Sequence, residues 1–147
     1  MDGRIQDERL LKLELRLAQL EKNEACQNTF LTFVKTIWPS FIQGKHHEII
    51  AEKLERVARG ELKRLIINMP PRHTKSEFAS FLFPAWMMGR SPNMKIIQAT
   101  HTTELAVNFG RKVKNLIETD EFKGVFPEVS LAVDSKASGR WDTNKGG

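Results

Sequence analysis

The sequence predicts an α/β fold: a partial parallel sheet flanked by helices and preceded by further helices at the amino terminus. Three observations carry that expectation. Short apolar runs at Arg64–Asn68, Lys95–Ala99 and Ser130–Val133 have the length and bounding residues of buried strands. Between them lie two helix-length stretches, Ser76 to Arg90 and a second one carrying Leu105 to Ile117. Strand, helix, strand, helix, strand in that order calls for parallel pairing through right-handed crossovers.

The elements follow one another with recognisable signals. Leu10, Leu13, Leu17 and Leu20 recur at spacings of three, four and three, which predicts an amphipathic helix from about Ile5 to Glu24. Its two-heptad seam allows either a coiled coil or docking onto the rest of the chain. A second helix begins at Asn28, carries Phe30, Phe33, Val34 and Ile37, and is stopped by Pro39. A third runs from about Lys45 to Arg59, with Ile50, Leu54 and Val57 on one side and Gly60 past its end.

The run Leu65-Ile66-Ile67 then reads as the first strand, closed by Pro70-Pro71. Ser76 to Arg90 is apolar on most sides, with Pro84 as a kink. After the second strand, Thr102 or Thr103 caps the next helix. Ser135 to Gly147 holds only Ala137 and Trp141 as apolar groups, so the sheet is expected to be interrupted there. Residues 1–26 form the amino-terminal helical unit, and 27–147 the body.

Composition narrows the class. The chain has 147 residues, 40% of them hydrophobic and 28% charged, the balance of a globular domain. Its longest apolar stretch, Phe78 to Met88, is broken by Ser80 and Pro84 and is too short to cross a bilayer. One cysteine, Cys26, gives neither an internal disulfide nor a metal cluster. The net charge of +5 is concentrated: residues 61–116 carry nine basic and three acidic side chains. Such an excess fits a polyanion, nucleotide phosphate or nucleic acid, or else a solvated basic face.

Chemistry concentrates in Met69-Pro70-Pro71-Arg72-His73-Thr74-Lys75-Ser76, between the predicted first strand and its helix. Unpaired N–H groups at a helix start, aided by the helix dipole, attract phosphate. A lysine there can reach the β- and γ-phosphates, and the next hydroxyl can ligate Mg²⁺. The pattern G-x-x-x-x-G-K-[ST] nevertheless fails at both glycines, which are Met69 and Thr74 here. Pro70 and Pro71 also lack N–H groups. On the residues alone, a phosphate loop and an ordinary βα turn both remain open.

The run LIINMPPRHTKSEFASFLFPAWMMGR, Leu65 to Arg90, resembles the ATPase core of tailed-phage terminase large subunits. The lead-in Trp38-Pro39-Ser40-Phe41 with Lys45-His46-His47 is similar to the same family, as are IIQATHTTELAVNFGRKVKNLI and SGRWDTNKGG. The resemblance spans about Phe30 to Gly147. It implies a P-loop-NTPase-like fold and an ATP- and Mg²⁺-dependent motor that drives double-stranded viral DNA into procapsids. Family members commonly carry glycine where this chain has Thr74.

Roles follow from the resemblance position by position. Lys75 matches the phosphate lysine, Ser76 the Mg²⁺ hydroxyl, and Arg72 a basic residue approaching the γ-phosphate, so Arg72 and Lys75 would be catalytic. His73 and Thr74 complete the nucleotide-binding loop, while His46 and His47 stand where the family approaches the adenine. As lone residues, both histidines also fit a helix surface or a satisfied core. Asp134 imitates a Walker B acid but reads as a loop residue, because the resemblance puts the true acidic pair and the nuclease domain beyond Gly147. Arg140 reads as an exposed turn arginine. The chain would then be the amino-terminal part of the ATPase, inactive alone. Its implied partners are DNA, the portal protein, a small terminase subunit and copies of itself in a ring, in the host cytoplasm and transiently on the procapsid, with no membrane. The alternatives are another P-loop enzyme, helicase-like or a small-molecule kinase, and a non-catalytic DNA-binding fragment.

Overall fold

The computed structural model describes residues 2–134, 137 and 139–147, with side chains from Gln6 onward; Ser135, Lys136 and Ser138 of the predicted tail lie outside the described residues. Six α-helices and one π-helical segment account for its regular structure: α1 (Asp2–Asn28), α2 (Phe30–Ile37), α3 (Lys45–Ala58), the π segment (Glu77–Leu82), α4 (Phe83–Arg90), α5 (Thr103–Ile117) and α6 (Asp120–Val125).

Aromatic residues spaced along these helices build the core. Phe30 of α2 meets Phe78 of the π segment edge-on at 5.5 Å, and Phe83 and Trp86 of α4 at 5.6 and 5.4 Å. Such tilted and T-shaped contacts are the favoured ring geometries. Phe33, one turn on, packs against Phe122 and Phe126. The buried Trp86 donates its indole N–H to the Cys26 carbonyl at 2.8 Å, which ties α4 to the end of α1. Thr29 gives α2 no side-chain cap, and the Glu55 carboxylate of α3 accepts from the Phe30 N–H instead, at 2.8 Å. At α5 the predicted cap forms: the Thr102 hydroxyl accepts from Leu105 N–H.

The parallel sheet expected from the sequence does not form. Among the described residues there is no strand, and the fold is helical rather than α/β. Residues 64–68 and 95–99 carry no regular secondary structure, and no backbone hydrogen bond joins one to the other. Their side chains do divide by alternation: Leu65, Ile67 and Ile96 rest on the helical core, whereas Ile66 and Ile97 are 86% and 94% exposed. Alternation places one face on a core, but a strand also needs a neighbour to receive its backbone groups, and here none is supplied. The third predicted strand meets the tail in a single antiparallel bridge, Leu131 to Thr143, with Ala132 N–H donating to the Asp142 carbonyl.

Among the described residues that tail is anchored by Trp141, Thr143 and Asn144, whose side-chain amide donates to the Glu128 carbonyl and accepts from Ser130 N–H. Trp141 donates to the Gly110 carbonyl of α5 at 3.1 Å. Thr143 is buried; its hydroxyl donates to the Pro92 carbonyl and accepts from Gly147 N–H.

Candidate functional site

Between Met69 and the π segment the backbone takes an unusual path. Arg72 and Thr74 have φ of 65° and 57°, the left-handed region that non-glycine residues seldom occupy. Residues 73 and 75 do not share it. Around left-handed residues successive N–H groups can line an anion-sized concavity. Pro71 and Arg72 form a turn that directs the His73 N–H back toward Pro70, and among the described residues no acceptor receives the N–H groups of Arg72, Thr74 or Lys75. Thr74 thus has a backbone conformation natural to glycine.

A histidine holds that threonine in place. His47, third residue of α3, is 5% exposed and lies 2.6 Å from the Thr74 hydroxyl through Nε2. The hydroxyl spends its only hydrogen on the His73 carbonyl at 2.7 Å, so Nε2 is the donor. On the other side of the ring, Nδ1 accepts from Gly44 N–H at 2.8 Å and satisfies the amino terminus of α3. Both bonds together require the neutral imidazole. Burial lowers the His47 pKa, and the neighbouring His46 and His73 lower it further. Phe41 and Phe78 complete its surroundings, with ring centroids at 4.7 and 5.1 Å.

The residues singled out from the sequence are only partly assembled. His46 stacks on His47 at 3.8 Å and approaches the His73 ring at 6.0 Å, so the predicted adenine-side histidines do reach the loop. Lys75 bends back to donate to the Met69 carbonyl at 3.3 Å, at the mouth of the same loop. Arg72 and Ser76 are exposed, and Ser76 makes no capping bond. Glu77 beside it is taken by Lys112 at 3.2 Å. Asp134 and Arg140 are exposed, as loop residues should be.

Sequence reasoning overlooked Gln43. Its side-chain amide donates to Glu48, leaving Oε1 buried with no partner, just ahead of the Gly44 cap and the two histidines. A buried acceptor without a donor costs about 1–3 kcal/mol, so its persistence marks a place where a ligand group would be welcome. The only local signal was an amide directly before Gly-Lys-His-His.

Two clefts of about 620 and 590 Å³ lie elsewhere, at the start of α5 around His101, Asn108 and Arg111, and between Ile97, Val107 and Trp141. Thr102 at the first of them serves as the α5 cap. Among the described residues no group of three or more His, Cys, Asp or Glu side chains could hold a metal ion. Compared with known proteins, the chain matches no family model, no curated protein and no solved structure.

Proposed function

We propose that residues 72–76 bind the phosphates of ATP and that the chain is the amino-terminal part of a terminase-like ATPase that packages double-stranded viral DNA. The observation that carries this reading is the backbone at Arg72 and Thr74: left-handed residues alternating in a loop where, among the described residues, the N–H groups of Arg72, Thr74 and Lys75 have no acceptor. Lys75 adds an ammonium at the loop mouth, and Arg72 a guanidinium free to turn toward a γ-phosphate. Gln43 offers an acceptor for an exocyclic amino group such as that of adenine, beside His46.

The donor set suits a triphosphate better than a free metal. Among the described residues of the loop, the Ser76 hydroxyl has no capping bond, the Thr74 hydroxyl is engaged by His47 and the His73 carbonyl, and the Glu77 carboxylate is held by Lys112. Magnesium would therefore arrive on the nucleotide, with phosphate oxygens supplying its other ligands. Double-stranded DNA, a portal protein, a small terminase subunit and a homo-oligomeric ring in the host cytoplasm belong to the same proposal and rest on the resemblance alone.

Calorimetric titration of the chain with ADP and ATP tests it. Lys75→Ala should weaken both nucleotides by about 1–3 kcal/mol, the scale of a charge-assisted contact, while Arg72→Ala should penalise ATP more than ADP. Equal binding by parent and Lys75→Ala would reduce the loop to a connecting turn.

A further inference from the structure

Only the last turns of α1 belong to the body. Cys26 is buried, Asn23 donates to the Gly124 carbonyl and Gln27 to the Val125 carbonyl, both at 2.6 Å. Residues 6–22 are exposed on every side, and Leu10, Leu13, Leu17 and Leu20 are 54–63% exposed. Docking of this seam onto the rest of the chain is thereby excluded. A bare helix of such length is marginal in water, and an uncovered leucine seam calls for a second helix.

The charges beside the seam identify that helix. With Leu10 and Leu17 at the a positions and Leu13 and Leu20 at d, the g positions are Arg9 and Arg16 and the e positions are Glu14 and Glu21. Among the described residues, none of these four makes an ion pair within the chain. In a parallel, in-register pair each g residue faces the e residue five positions on in the other helix. Arg9 then meets Glu14 of the second copy, Arg16 meets Glu21, and the two-fold axis doubles both to four opposite-charge pairs. Antiparallel pairing would instead set arginine against arginine and glutamate against glutamate. We infer that α1 is a self-association arm, pairing in parallel and in register with α1 of a second copy of this chain. Two heptads give weak association, one that adds to other contacts in an assembly rather than forming a permanent dimer.

Sedimentation of the full chain from ~10 μM to ~1 mM, the range that resolves weak pairing, reads the association directly. Arg9→Glu/Arg16→Glu and Glu14→Arg/Glu21→Arg should each raise the dissociation constant about tenfold or more, because four attractive pairs become repulsive. An equimolar mixture of the two variants should recover parental association. All four positions are exposed, so circular dichroism of the folded body should not change. Under mild oxidant, Leu10→Cys should form a disulfide dimer and the parent, whose Cys26 is buried, should not. A parent monomeric across the whole range, or a mixture that fails to recover, would overturn the inference. So would cross-linking that needs Leu10→Cys mixed with Leu20→Cys, the antiparallel result.

Discussion

His47 spans two tasks that share one protonation state, capping α3 through Nδ1 and steadying Thr74 through Nε2. A proton on Nδ1 would set a donor against the Gly44 N–H, so the charged ring loses one bond and its burial becomes costly. The folded pKa lies below the ordinary value of 6.5, which means the unfolded chain binds more protons as pH falls through that value. The stability that depends on neutral His47 is therefore complete above about pH 6.5 and is lost as pH drops below it. Chemical denaturation at pH 7 and pH 5 checks this against His47→Gln, which does not titrate there; the parent should lose more stability than the variant, and equal losses would refute the coupling. Thr74 can be weighed separately. Removing its side chain as Thr74→Gly relieves left-handed strain of about 1–2 kcal/mol but strands the His47 donor, so the net change should stay within about 1 kcal/mol. Thr74→Ala strands the same donor and keeps most of the strain, and should be less stable than Thr74→Gly by about 1 kcal/mol in the same titrations. The loop and both histidines were legible as residue types in sequence. The bond between them was not, because 27 residues separate its ends and nothing local encodes it.

Helix α4 and the π segment show how one residue shapes an element. Pro84 has no N–H to give, so an α-helix through it would leave the Ser80 carbonyl unanswered. The side-chain amide of Gln98 donates to that carbonyl, and the preceding turn widens so that Phe83 N–H reaches back to Phe78. The kink read from the sequence is thus a change of helical register, supplied with a donor from a distant segment. Helices α2, α3 and α5 were legible almost to the residue because their periodicity and stop signals are local. The short α6 was passed over although Thr119 caps it by accepting from Phe122 N–H, since six residues carry too little periodicity to stand out. Gly89 belongs to the same scale. A Cβ built there would lie 2.5 Å from the Phe126 ring, itself pinned between Phe33 and Phe122. Gly89→Ala gains helix propensity yet forces that ring to move, and should cost about 1–2 kcal/mol net in thermal denaturation. A stabilised variant would mean the ring has room that the packing does not show.

At the scale of the whole molecule, the error in the α/β expectation has a physical source. Apolar runs such as Leu65-Ile66-Ile67 carry the signature of burial, and Leu65, Ile67 and Ile96 are indeed partly buried against the core. Whether a buried run becomes a strand depends on a backbone neighbour, a non-local condition that no window of sequence contains. Here helices α2 to α6, with the end of α1, supply the core, and the two runs lie on it unpaired. Amide hydrogen exchange distinguishes the two architectures, because protection follows hydrogen bonding rather than burial of side chains. The amides of Phe33, Trp38 and Arg59, bonded to carbonyls one turn back, should exchange slowly. Those of Leu65 to Asn68 and Ile96 to Ala99 have no backbone acceptor and should exchange orders of magnitude faster, approaching the rate of open loops. The loop amides of Arg72, Thr74 and Lys75 should behave like them in the free chain and slow when a triphosphate is added. Protection of every amide in a run, at the level of the core helices, would be the pattern of a central strand, and protection of alternate amides that of an edge strand; either would contradict the helical architecture.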